Sequence, residues 1–292
     1  MATPAPTPSS TIAGEYPALV IFLGEDAAPI GVTVAFGSVW VANHHSDDVV
    51  RIDPTTGAEQ TRIAFTDGTG PGSFAVADDE VWVTRQNTVG MARIDETTNE
   101  RDPNQVGTLP PCWIPTIGLG AVWYWACDTG QMMRTDVTTF ETTTLDSGAL
   151  TRPLAVNDVL YAAGPDGVMR LADDGSTWQL VGGCCGDIIG FAGGTLWLAN
   201  DDALVRVDPA TGAVVATIAV AHAQFMTAGS DVAWFALPEG LAPVLRRVRI
   251  ADNEVLDDLP VSATPTQVWA DGSSLWMTDF SASELWRIDT GG

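Results

Sequence analysis

The stretch GVTVAFGSVWVAN (residues 31–43) decides the fold, because the chain repeats it six more times. It returns as GSFAVADDEVWVTR (72–85), IGLGAVWYWAC (117–127), PLAVNDVLYAAG (153–164), IIGFAGGTLWLAN (188–200), FMTAGSDVAWFAL (225–237) and TQVWADGSSLWMTD (266–279). Aligned, the copies share an anchor at Trp40, Trp82, Trp123, Leu160, Trp197, Trp234 and Trp276, at intervals of 42, 41, 37, 37, 37 and 42 residues. An arginine follows each: Arg51, Arg93, Arg134, Arg170, Arg206, Arg249 and Arg287. Six of these lie 9 to 11 residues past the anchor, and Arg249 lies at 15, which predicts a longer loop there. A fixed period with two coupled anchors marks a repeat architecture.

Each copy reads as four short strands in meander order. In the first they are VTVAFG, SVWVAN, VVRIDP and EQTRIAF, here strands a to d, separated by turn signals such as Asp53-Pro54-Thr55-Thr56-Gly57. No stretch sustains a helical period. Four strands in a repeat of this length make the blade of a β-propeller, so the sequence predicts an all-β, seven-bladed β-propeller with four antiparallel strands per blade. The seventh copy runs out after strand c, at Trp286-Arg287-Ile288-Asp289. The unassigned strand Tyr16-Pro17-Ala18-Leu19-Val20-Ile21-Phe22-Leu23 is expected to complete it, closing the ring and covering both open edges. Residues 1–15, rich in Pro, Thr and Ser, read as a flexible tail, and residues 16–292 as one propeller domain.

The [VL]W[VLM][AT] strand followed by R-[IV]-D-P-x-T-G resembles the propellers of the YncE-like and streptogramin B lyase-like group, across residues 16–292. For the lyase members the resemblance implies a magnesium-dependent elimination that opens a cyclic depsipeptide ester, using histidines and glutamates on the late blades. Other members of the wider group are binding or scaffold propellers. This chain has three histidines, His44, His45 and His222, and they form no His/Glu set on blades six and seven. No catalytic residue is therefore carried over.

Composition narrows the partners. The 292 residues hold 37 acidic and 13 basic side chains, all the basic ones arginine, for a formal net charge of −24. A field of that sign repels phosphate backbones, which excludes nucleic acid as a partner. No apolar run reaches the length of a membrane-spanning helix. The tail composition and the even count of four cysteines suggest an exported protein, extracellular or at the cell surface, acting as a monomer. No G-x-S-x-G elbow, P-loop, dinucleotide fingerprint or H-E-x-x-H occurs.

A residue present in every blade holds the blade, whereas one present once is available for chemistry. The anchor tryptophans are thus expected to face the neighbouring blade, and the repeated arginines to bond the Asp two residues on or a turn carbonyl. What remains falls on the b–c and d–a loops, the face where propellers bind ligands. Trp113, Trp125 and Phe280, with Arg85 and Arg152, form a candidate platform for a small molecule, peptide or glycan. His44, His45 and His222 map to the same face. Together with Asp128, Asp201, Glu239 or Asp279 they are candidate ligands for a divalent ion, Mg or Ca.

Counting from the hairpin centre puts Cys112 opposite Thr129 and Cys127 opposite Ile114, diagonal neighbours that a bulge at Pro110-Pro111 would bring within disulfide reach. Cys184 and Cys185, flanked by glycines, form a vicinal disulfide, remain free thiols or cross to another blade. Two functions stay open. One is an exported binding propeller using the loop face near Trp113, Arg85 and His44. The other is a metal-assisted lyase or hydrolase, with His44, His45 and His222 on the ion and Asp128 or Glu239 as acid/base.

Overall fold

The computed structural model describes residues 9–13, 16–66, 68–77, 79–126, 128–173, 175–182, 186–236, 244–261 and 265–291. Every element among them is a β-strand. β1 (Ser9–Ala13) and β2 (Tyr16–Phe22) come first. The first blade is β3 (Pro29–Ala35), β4 (Ser38–Asn43), β5 (Asp48–Ile52) and β6 (Glu59–Ala64), and the second is β7 (Pro71–Ala77), β8 (Glu80–Arg85) and β9 (Met91–Asp95). The third is β10 (Pro111–Gly118), β11 (Ala121–Ala126), β12 (Gln131–Asp136) and β13 (Thr142–Leu145). The fourth is β14 (Thr151–Val156), β15 (Val159–Gly164), β16 (Gly167–Leu171) and β17 (Trp178–Gly182). The fifth is β18 (Asp187–Ala192), β19 (Thr195–Ala199), β20 (Leu204–Val207) and β21 (Val214–Ile218), and the sixth is β22 (Phe225–Ala228), β23 (Val232–Ala236), β24 (Val244–Arg249) and β25 (Val255–Pro260). The seventh is β26 (Pro265–Asp271), β27 (Ser274–Asp279) and β28 (Glu284–Asp289), and β2 supplies its fourth strand by pairing with β28. The chain is a seven-bladed β-propeller. In the second blade the fourth-strand position is marked by two isolated bridges, Met91 to Val106 and Ile94 to Arg101.

The chain divides into two compact units, Met1–Ser73 with Gln224–Gly292, and Phe74–Ala223. The first carries the first, sixth and seventh blades. The second carries the other four, apart from the first residues of β7. Within the stretch whose composition reads as a tail, Ser9–Ala13 form β1 and pair with β2 from Ser9↔Val20 to Ala13↔Tyr16. The β-branched Thr and Ile of SSTIA favour extended backbone, and β2 offers it an open edge.

Burial falls from the inner strands to the outer one. All six residues of β4 are buried, whereas β21 and β25 are mostly exposed. Strand b is buried on both faces and reads as a nearly continuous apolar run, whereas strand d meets solvent. In the first unit, Trp234 packs among Leu275, Met277 and Trp286 of the seventh blade, and Trp276 among Ile21, Val39 and Val41. In the second, Trp82 packs with Val122 and Tyr124, and Trp123 with Leu160 and Ala162. Each of these four anchors thus lies on the next blade.

The same packing corrects two anchors. Leu160 clusters with Trp123 of the preceding blade, while Tyr161 lies with Leu196, Leu198 and Val205 of the following one. Tyr161 also stands two residues past the first paired residue of its strand, Val159, as Trp40 does past Ser38 and Trp197 past Thr195. Neighbouring strand residues face opposite ways, so a one-residue shift in the alignment reverses the assignment. Tyr161 is the fourth anchor.

Cross-strand register names the arginines. Trp40 pairs with Arg51, Trp82 with Arg93, Trp123 with Arg134, Tyr161 with Arg170, Trp197 with Arg206, Trp234 with Arg247 and Trp276 with Arg287. The sixth repeat arginine is therefore Arg247, which is buried, and not Arg249, which is exposed enough to pair with Asp252 and Glu254. Most guanidiniums stack over their own indole, as Arg206 does at 4.8 Å and Arg51 at 4.9 Å. Their hydrogen bonds run back to the start of strand b, Arg51 Nε to Ser38 Oγ (2.9 Å) and Arg206 Nε to Thr195 Oγ1 (3.0 Å). Arg134 bonds the Asp two residues on, Asp136, at 3.2 Å, and Arg287 reaches the Thr55 carbonyl at 2.8 Å.

The repeated Asp has a different task. Asp53 Oδ1 accepts the Thr55 and Thr56 N–H groups (2.9 and 2.8 Å), and Asp95, Asp136 and Asp208 close the same turn. These are Asx turns that join strand c to strand d. In the third blade, β10 shifts register between Cys112 and Thr116, so Cys112 stands opposite Trp125 rather than Thr129. The bulge falls after the cysteine, not at Pro110-Pro111. Cys127, the expected partner of Cys112, lies outside the described residues.

Candidate functional site

In the first unit the loop after β4 carries consecutive histidines held by backbone pairing. The His44 N–H donates to the Ala28 carbonyl (3.0 Å) and the His45 N–H to Ala27 (3.2 Å), which prolongs the pairing past the strand end. Successive side chains then face different surroundings. His44 is half-buried and His45 is exposed, with ring centroids 5.6 Å apart. His45 Nδ1 lies 2.9 Å from Asp26 Oδ1, and the Phe280 ring meets the His45 ring edge-on at 5.1 Å. Phe280 is placed by the turn after β27, where Asp279 accepts the Ala282 N–H (2.9 Å) and Thr266 Oγ1 accepts the Phe280 N–H (3.2 Å).

Beneath the loop the polar groups are tied down. Asn43 donates to Asp48 (2.7 Å), Arg62 grips both Asp48 oxygens at 2.9 Å and the Leu23 carbonyl at 3.0 Å, and Asp47 accepts the Gly68 and Gly70 N–H groups. Two buried atoms here have no hydrogen-bond partner, the Oδ1 of Asn43 and the Nδ1 of His44. Burial, with the neighbouring His45 ring as a second cause, holds the His44 pKa below the usual imidazole value. The arrangement is a half-buried neutral imidazole with an unused nitrogen, beside an aromatic edge and a carboxylate-held second imidazole.

Of the predicted residues, the structure brings together His44, His45 and Phe280, and it adds Asp26, which the sequence reading missed. Only the acidic turn Gly24-Glu25-Asp26 just before the first strand a hinted at it. In the second unit Arg85 donates to the Val89 carbonyl and to Gln105, and desolvation lowers its pKa. Arg152 Nε lies 3.4 Å from Asp187, whose other oxygen accepts from Thr151, and burial lowers the Arg152 pKa too. Trp125 is half-buried, with a buried and unpartnered Nε1. His222 and Asp128 are exposed. Glu239, Cys127, Cys184, Cys185 and the Trp113 side chain lie outside the described residues.

Among the described residues no three His, Cys, Asp or Glu side chains converge on one point.

The same fold occurs in solved structures. Virginiamycin B lyase from Staphylococcus aureus, as a catalytically inactive histidine-to-alanine variant with quinupristin, superposes with a TM-score of 0.75 over 94% of this chain and 99% of that one, at 18% identity. In fold, the chain resembles streptogramin B lyase. A streptogramin B lyase structure gives a TM-score of 0.74 at 16% identity over 95% and 99% of the two chains. Hydrazine synthase of Kuenenia stuttgartiensis reaches 0.73 at 11% over 92% and 97%, so the same shape serves unrelated proteins. No protein-family model and no curated protein matches the chain.

Proposed function

We propose that this chain is a ligand-binding propeller that holds a small molecule, peptide or glycan at the loops of its first and seventh blades. The observation that carries this reading is the unpartnered, buried Nδ1 of His44 beside the His45–Phe280 edge. A buried polar atom without a partner costs stability, and a ligand that supplies the partner recovers it. Phe280 offers the apolar contact, and Asp26 fixes the outer imidazole. Export, to the extracellular space or the cell surface, belongs to the same reading. The disulfide at Cys112 supports it.

Metal analysis of tag-free protein before and after chelator dialysis separates this reading from a metal-assisted lyase, and incubation with quinupristin adds a second arm. A binder keeps its melting temperature in chelator and leaves quinupristin intact. Overturning the reading takes about one divalent ion per chain that is lost on His44→Ala, together with conversion of quinupristin to an opened product of unchanged mass.

A further inference from the structure

The second unit holds a cavity of about 420 Å³ that no part of the loop-face reading uses. It lies beside the Asp146–Leu150 connection that leads from the third blade into the fourth, and it reaches the end of β15 and the start of β17. Its volume falls within the range of about 300–1,000 Å³ typical of small-molecule sites. Two of its lining residues carry a buried polar atom without a hydrogen-bond partner. Ser147 is only 7% exposed and its Oγ has no partner, and the indole Nε1 of Trp178 is buried without an acceptor. The connection is fixed by its own backbone, because the Leu150 N–H donates to the Ser147 carbonyl at 3.0 Å and the Gly148 N–H to Asp146 Oδ1 at 3.3 Å. Ser147 is therefore held in place, and nothing among its neighbours answers its hydroxyl.

The lining selects the ligand. Trp178 N–H needs an acceptor, Ser147 can give and take, and the carboxylates of Asp146 and Asp166 need donors. An anion is repelled by those carboxylates, and an ammonium offers no acceptor to the indole. A hydroxyl group is both donor and acceptor, and vicinal hydroxyls on a ring with an apolar face also match Leu150 and Met169. We propose that this cavity is a second binding site, for a neutral sugar ring, distinct from the loop-face site in the first unit and testable independently of it.

The test is calorimetric titration and saturation-transfer NMR on the full chain with glucose, galactose, N-acetylglucosamine and maltose, and tetramethylammonium as the cationic control. Comparison is with Ser147→Ala and Trp178→Phe. Ser147→Ala deletes a polar atom that has no partner in the fold and should not lower the melting temperature, whereas Trp178→Phe also trims ring packing and should lower it slightly without loss of the fold. The expected result is saturable binding of at least one sugar, weakened roughly five- to tenfold by each substitution, the scale of one lost hydrogen bond. Absence of saturable sugar binding, binding untouched by both substitutions, or preference for tetramethylammonium would each overturn the assignment.

Discussion

At the residue scale the molecule separates polar groups that serve the fold from those left over. The Asx-turn aspartates belong to the first kind. Backbone N–H groups of Thr139 and Thr138 bring the Asp136 pKa down to about 2, and Asp53, Asp95 and Asp208 are lowered by the same kind of bond. A folded pKa below the unfolded value near 4 means that these turns contribute fully above about pH 4 and lose their contribution as pH falls toward 2. Carboxyl titration by NMR should place Asp136 lowest of this group; an ordinary aspartate value there would refute the turn assignment. His44 is of the second kind. Its ring nitrogen is unused and its pKa is lowered by burial, so the neutral form persists below the usual imidazole value. Ligand affinity should stay flat from pH 8 to 6.5 and fall only below that. Histidines occurring once on loops could be picked out from the sequence by subtracting the repeat. The unpartnered state of His44, Ser147 and Trp178 could not, since burial of a single polar atom is set by packing between distant segments.

At the scale of the element, the strand order and the anchors were legible because two coupled residues recur at a steady period. The failures were shifts of one or two residues. VLYAAG carries no tryptophan, and aligning it on Leu160 put the wrong side chain toward the following blade, although the aromatic Tyr161 stood next to it. Arg249 was preferred to Arg247 because three arginines crowd β24 and only register distinguishes them. Trp276→Ala should cost about 3–5 kcal/mol in urea unfolding, the range for emptying a buried aromatic site. Gly31 tests a backbone contact, since a Cβ there would lie 2.1 Å from the Gly72 carbonyl oxygen. Gly31→Ala should therefore destabilise by about 1–3 kcal/mol, and a neutral result would mean that β3 and the start of β7 are not in close contact. Truncation probes the completing strand. Removing residues 1–14 should leave cooperative unfolding intact, whereas removing residues 1–22 strips β2 from β28 and exposes Trp286 and Ile288, and should abolish it.

For the whole molecule, a net charge of −24 on 292 residues is a standing self-repulsion. Added sodium chloride at pH 7 should raise the melting temperature by screening it, the opposite of what a surface held by ion pairs would show. Fold and charge together say little about which partner the chain takes, because function lives on loops that the repeat does not dictate. The measurement that tests the binding claim most directly is a thermal-shift screen of peptides, glycans and small molecules, run in parallel on the natural chain and on the His44→Ala/Phe280→Ala double variant, with and without chelator. A ligand at a hundredfold excess over its Kd stabilises by about 2.7 kcal/mol, or roughly 5 °C for a domain of this size. The account predicts a shift of that order for at least one ligand class, unchanged by chelator and lost in the double variant. Ligand shifts that survive in the double variant, or appear only with added divalent ion, would contradict it.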